Sequence, residues 1–176
     1  MRVWGSMLAA VALSACQSVP DEPSRAAAQA RATAQLQPTQ GNKTFGEATF
    51  EQVGDKVRVT IFVQGLQPGQ EHGLHVHEVG DCGNGAENAK GHFNPHGKPH
   101  GSPTSSERHA GDLPALSANK QGRAKVQADV DLFTLGAGAN SIVGRALVVH
   151  AKRDDYATQP SGDSGARIAC GIIQPG

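Results

Sequence analysis

Aromatic side chains are scarce in this sequence: five Phe, one Tyr and one Trp make up 4% of 176 residues, and the Trp stands fourth in the chain. A core with so few rings has to be filled with Val, Ile, Leu and Ala, and the 22 glycines suit strands joined by tight turns. Excess charge of either sign is missing as well. Lys and Arg number 16, as do Asp and Glu, which argues against a nucleic-acid partner, since that would call for a strongly basic face. No apolar run is long enough to span a bilayer as a helix. Cysteines are limited to Cys16, Cys82 and Cys170, so an exported chain keeps one unpaired thiol after any disulfide.

The first sixteen residues, Met-Arg-Val-Trp-Gly-Ser-Met-Leu-Ala-Ala-Val-Ala-Leu-Ser-Ala-Cys, combine a basic start with a short apolar run. This is the pattern of an export signal over residues 1–15. Leu13-Ser14-Ala15-Cys16 resembles the lipobox of bacterial lipoproteins, in which the cysteine is acylated and becomes the first residue of the mature chain. Cleavage by ordinary signal peptidase, with Cys16 incidental, is the other reading. Acylation of Cys16 removes the odd thiol and leaves Cys82 with Cys170. Residues 16–40 are rich in Ala, Gln, Ser and Pro with no sustained apolar periodicity, which predicts a lipidated N-terminus and flexible tether. An Ala-rich helix over 25–35 is the alternative there, with little to pack against. Processing leaves roughly 140 to 160 residues, enough for one core, expected at 41–176.

Within that domain Val57, Val59, Ile61 and Val63 alternate with Lys56, Arg58, Thr60 and Phe62, the period of a strand with one buried face. Gly54-Asp55 before it reads as a hairpin turn. Ala124, Val126, Ala128 and Val130 form a second alternating run, and residues 146–149 and 168–173 are further strand candidates. No stretch of the domain carries a helical stripe over three turns. The reading is all-β: an antiparallel sandwich or flattened barrel.

All eight histidines lie between 72 and 150, and seven of them between His72 and His109. In His75-Val76-His77 the residues i and i+2 project from one strand face, which sets two imidazoles side by side as ligands for one metal. Standing alone, the pair fits a polar sheet face equally well. It is followed by Gly91-His92-Phe93-Asn94-Pro95, by His100-Gly101 and by Arg108-His109-Ala110-Gly111-Asp112-Leu113, glycine- and proline-rich loops offering nitrogen and oxygen ligands at short range. Three imidazoles and one carboxylate close a tetrahedral zinc site. His150 ends the run Ala146-Leu147-Val148-Val149.

Through Gly73-Leu74-His75-Val76-His77-Glu78, the His92 and His109 motifs and Gly165-Ala166-Arg167-Ile168-Ala169-Cys170-Gly171, the sequence resembles the copper/zinc superoxide dismutase family from about residue 44 to 173. The resemblance implies a Greek-key sandwich or flattened eight-stranded barrel with long metal-binding and electrostatic loops. It implies one copper and one zinc ion per subunit, with His75, His77, His92 and His150 on copper and His92, His100, His109 and Asp112 on zinc, so that His92 bridges the two. It further implies superoxide as substrate and redox cycling of copper, in which His92 takes a proton. Arg167 then guides the anion, Asp154 holds the tautomers of His75 and His100, and Cys82 pairs with Cys170. His72 and His96 stay outside both metal sites, the first structural, the second solvated. Cys82 directly after Asp81 matches the bacterial branch, which places the chain in the periplasm or cell envelope, tethered to the membrane through Cys16 alone. Residues 152–166 are short for an electrostatic loop. A homodimer is compatible with these motifs and not specified by them. A metal-buffering lipoprotein needs the ligand cluster only, and a zinc-only sandwich needs fewer than four copper ligands.

Overall fold

The computed structural model describes residues 30–176, together with Met1. The expected signal over residues 1–15 and acylation at Cys16 fall outside the described residues. Ten strands follow in order: β1 Arg31–Pro38, β2 Phe45–Val53, β3 Lys56–Gln64, β4 Glu71–His72, β5 Leu74–His77, β6 Leu116–Ser117, β7 Ala124–Val130, β8 Ala146–His150, β9 Arg167–Ile172 and β10 Gln174–Pro175. Among the described residues there is no α-helix, only a 3-10 turn at Glu87–Ala89. Eight strands make one curled antiparallel sheet in the order β5-β8-β9-β1-β2-β3-β7 with β10 beside β1, and β4 pairs with β6 apart from it. The all-β antiparallel expectation holds.

The hairpin at Gly54-Asp55 forms as predicted, with Val53 opposite Lys56. Gly54 has φ +61°, the first central position at which a two-residue hairpin of type II′ needs glycine. Along β3 the alternation is realised residue by residue: Val57, Val59, Ile61 and Val63 are buried, while Lys56, Arg58, Thr60 and Phe62 face outward or lie half-buried. These valines join Leu36, Phe50, Leu74, Leu116, Phe133, Ile142 and Leu147 in a core built mainly from aliphatic side chains.

One expectation is overturned. The tether drawn over residues 16–40 runs through β1, whose Ala32, Ala34 and Leu36 are buried and whose Arg31, Thr33 and Gln35 are exposed. β1 pairs with β2 along most of its length and with β10 and β9 on its other edge, so it joins the two halves of the sheet. Along its edge β1 and β9 come close. A Cβ on Gly171 of β9 would lie 2.4 Å from the Gln35 carbonyl oxygen, so the two backbones touch there. The Ala-rich helix over 25–35 is excluded from residue 31 onward by the same strand.

Candidate metal centre

β5 carries His75 and His77 and pairs with β8, which ends in His150. The other edge of β5 holds the His92 and His109 loops: the Phe93 amide donates to the Val76 carbonyl at 2.8 Å and the Val76 amide to the Gly111 carbonyl at 2.9 Å. Glycine at 111 is needed for that approach, since a Cβ would sit 2.2 Å from the Val76 oxygen. At the far end of β8 the register with β9 slips between Val149 and His150, so that His150 faces Arg167 where regular pairing would give Ile168. A bulge of this kind re-aims side chains. Here it sets a histidine and a guanidinium across from each other.

Two groups of side chains result, His75, His77, His92 and His150, and His92, His100, His109 and Asp112, each with one ligand atom per residue and all such atoms within 4.8 Å. His92 belongs to both. Hydrogen bonds settle which ring nitrogens are bare. His77 Nδ1 lies 2.9 Å from the Lys90 carbonyl and His150 Nδ1 3.1 Å from that of Gly165. A carbonyl only accepts, so both protons sit on Nδ1 and both Nε2 atoms carry lone pairs. Those Nε2 atoms are 3.3 Å apart. His75 Nε2 donates to Asp154 Oδ2 at 2.6 Å, which leaves its Nδ1 bare. Among the described residues, buried His75 Nδ1 and His92 Nε2 have no hydrogen-bond partner, while His100 Nδ1 lies 3.1 Å from Asp112 Oδ2. Converging lone pairs without a proton between them are an arrangement that a cation relieves.

The electrostatics agree with this reading. Burial pushes His77 and His150 well below the ordinary histidine range, with mutual repulsion among the imidazoles adding to it. Burial likewise takes His92 down to about 4, against the opposing hydrogen bond to Asp112. Burial also opposes a cationic His100, but hydrogen bonds to Asp112 and Asp154 outweigh it and lift the ring to about 9. For Asp112 burial favours the neutral acid, and the bonds to His100, His109 and His92 overcome it, so the carboxyl is held far below its usual range. Neutral histidines on one side and a carboxylate on the other make four nitrogens for one ion and three nitrogens with one oxygen for a second. A neutral imidazole offers one lone pair only. For His92 to serve both groups, the proton that Nδ1 shares with Asp112 Oδ1 at 2.9 Å has to leave.

Asp154, 1% exposed, links the groups, since its second oxygen accepts from His100 Nε2 at 2.9 Å. Arg167 lies at the rim of a cavity of about 580 Å³ shared with His77, His92, His109 and His150. Its two terminal nitrogens donate to the carbonyls of Ala86 and Lys90 at 2.5 and 2.6 Å. Cys82 and Cys170 form a disulfide, 88 residues apart, that fastens the same loop to β9. Closing a loop of that length is worth about 4 to 5 kcal/mol on the chain-entropy account. His72 is buried beside β5 with Nδ1 2.9 Å from the His150 carbonyl, and His96 is exposed.

Several contributors lie beyond the sequence motifs. Gln159 accepts from the His100 amide at 2.8 Å and donates to its carbonyl at 2.9 Å, clamping the loop of residues 152–166 to the second group. Gly162 packs against the Asp154 carboxylate. Neither carries a sequence signal, because each acts through a partner about sixty residues away or through the absence of a side chain.

The sequence pattern described as copper/zinc superoxide dismutase (SODC) matches residues 44–173. The chain belongs to the copper/zinc superoxide dismutase family. An extracellular superoxide dismutase [Cu-Zn] of Haemonchus contortus is 42% identical over 137 residues, 74% of each chain. A superoxide dismutase [Cu-Zn] of Yarrowia lipolytica is 44% identical over 140 residues, 75% of this chain and 90% of its own, and one of Aquifex aeolicus is 39% identical over 149, 82% and 86%. A solved structure described as the clock protein EA4 superposes with a TM-score of 0.74 at 38% identity, covering 84% of this chain and 95% of its own. Membership of the family makes the chain an oxidoreductase of the superoxide dismutase class and accounts for the paired metal groups.

Proposed function

We propose that the chain converts two superoxide anions and two protons into oxygen and hydrogen peroxide at a copper ion held by His75, His77, His92 and His150. In this reading zinc is held by His92, His100, His109 and Asp112, with one ion of each kind per subunit. The observation that carries it is the place of His92 in both groups, with a bare Nε2 toward the first and Nδ1 toward the second. When bound, copper supplies the one-electron acceptor and donor, and zinc supplies a fixed positive charge. The protein does the rest. His92 Nε2 is the atom that holds a proton between the two half-reactions. Asp154 keeps the donors of His75 and His100 turned inward, and Arg167, pinned by two carbonyls, presents its guanidinium to an anion entering beside His77 and His150.

The same reading places the enzyme in a bacterial periplasm or cell envelope, with residues 1–15 as export signal, Cys16 as lipid anchor, and the enzyme domain extended from the expected residues 41–176 to include β1, Arg31–Pro38. Bacterial and extracellular relatives and the disulfide, a bond that persists in oxidising compartments, support export. The test is superoxide decay with protein stripped of metal and reloaded with zinc alone or with copper and zinc. Fast decay that depends on copper is expected. Binding of both metals with decay at the uncatalysed rate would hand the site to metal buffering instead.

A further inference from the structure

His72 has a ring nitrogen that nothing in the fold uses. Its Nδ1 lies 2.9 Å from the His150 carbonyl. A carbonyl only accepts, so Nδ1 carries the proton and Nε2 of the neutral ring keeps a lone pair. Among the described residues Nε2 is buried without a hydrogen-bond partner, in a residue 2% exposed. An acceptor taken from water and left without a donor costs stability. His72 belongs to neither metal group, so a cation held there does not relieve it.

The same residue lines a cavity of about 500 Å³ that shares no residue with the metal cavity. Two loops build most of it, residues 41–44 between β1 and β2 and residues 65–68 after β3. They are fastened to each other. Thr44 Oγ1 donates to the Gly65 carbonyl at 3.1 Å, and a Cβ on Gly65, whose φ is +75°, would lie 2.3 Å from the Lys43 carbonyl oxygen. The cavity is therefore preformed, and its size suits a small organic ligand. Leu66 and Ile168 give it an apolar wall. Lys43 gives it an exposed cation, which has no ion-pair partner among the described residues. No acidic side chain stands among the lining residues to oppose that charge.

We propose that this cavity is a ligand site for a small phenolic acid, whose hydroxyl donates to His72 Nε2 while its ring lies against Leu66 and Ile168 and its carboxylate faces Lys43. Each part of that class answers one feature of the cavity. A bare buried acceptor requires a donor on the ligand. An unopposed ammonium favours an anion. A flat, rigid spacer between the two ends loses little conformational freedom on binding. The site contains no metal ligand, so it stands apart from the dismutase reading.

The test is a titration of isotope-labelled, metal-loaded protein, its copper held reduced, with para-hydroxybenzoate, benzoate and phenol, followed by amide chemical shifts. Expected are saturable shifts at Thr44, Leu66 and Ile168 with para-hydroxybenzoate. Benzoate leaves the acceptor unpaired and should bind about ten-fold more weakly. Lys43→Met changes an exposed side chain; it should weaken para-hydroxybenzoate about two- to five-fold and leave phenol unaffected. Equal affinity for benzoate and para-hydroxybenzoate overturns the proposal, because His72 then accepts nothing from the ligand. So does a Lys43→Met protein that binds para-hydroxybenzoate as the wild type does. Shifts that fail to saturate at concentrations on the order of 10 mM, or that are confined to Arg167 and the metal cavity, overturn it as well.

Discussion

At Gly162 glycine is required twice over. The backbone has φ +67°, and a Cβ there would lie 1.9 Å from Asp154 Oδ1 and 2.6 Å from His100 Nε2. Gly162→Ala therefore has to move the carboxylate that joins the two histidine groups. We expect it to destabilise the metal-free protein by about 2 kcal/mol or more, from positive φ and steric conflict together. It should also weaken cobalt binding at the second group, read from the visible absorption of the bound ion. An unaltered urea midpoint would show that the loop yields without cost. The histidines around this glycine were legible because strand geometry turns i, i+2 spacing into one face, and because the loop ligands lie close together in sequence. Gly162 was not, since nothing in a chain with 22 glycines tells which one faces a carboxylate.

Strands with bulky inward residues declared themselves, and those with small ones did not. β3 alternates valine and isoleucine with polar residues and reads directly as a half-buried strand. β1 alternates just as strictly, Arg31-Ala32-Thr33-Ala34-Gln35-Leu36, but alanine is a good helix former and a common tether residue, so the strand is recognised only from its pairing with β2, β9 and β10 and not from its own hydrophobicity. The β9 bulge opposite His150 leaves no mark in composition either. If β1 is a structural strand, truncation separates the two boundaries sharply. A chain beginning at Ala30 should fold and bind both metals. One beginning at Gly41 loses the partner of β2, β9 and β10, and also Thr39, whose hydroxyl donates to the Arg167 carbonyl at 2.7 Å. We expect the shorter chain to show no cooperative unfolding transition by circular dichroism. A cooperative transition with native metal content would return β1 to the role of a tether.

Protonation ties the site to the stability of the whole molecule. Below its unfolded value near 6.5, a histidine held at about 4 in the fold stays neutral while the unfolded chain takes up a proton. His92 thus contributes stability that is complete above pH 6.5 and fades as pH falls toward 4, and His75, His77 and His150, shifted in the same direction chiefly by burial, add to the slope. His100 acts oppositely. Held at about 9 between Asp112 and Asp154, it contributes stability below pH 6.5 that is lost as pH rises through 9. The metal-free protein should therefore be most stable near pH 6.5 to 7, with a limb of a few kcal/mol falling away on each side. Loading both metals changes the two limbs differently. In the proposed second group a metal takes the place of a His100 proton on the alkaline side, so that limb should flatten. On the acid side protons compete with metal for every imidazole, so that limb should steepen. Urea midpoints of metal-free and loaded protein from pH 4 to 9 measure both. An alkaline limb that persists in the loaded protein would show that His100 keeps its proton and is not a ligand.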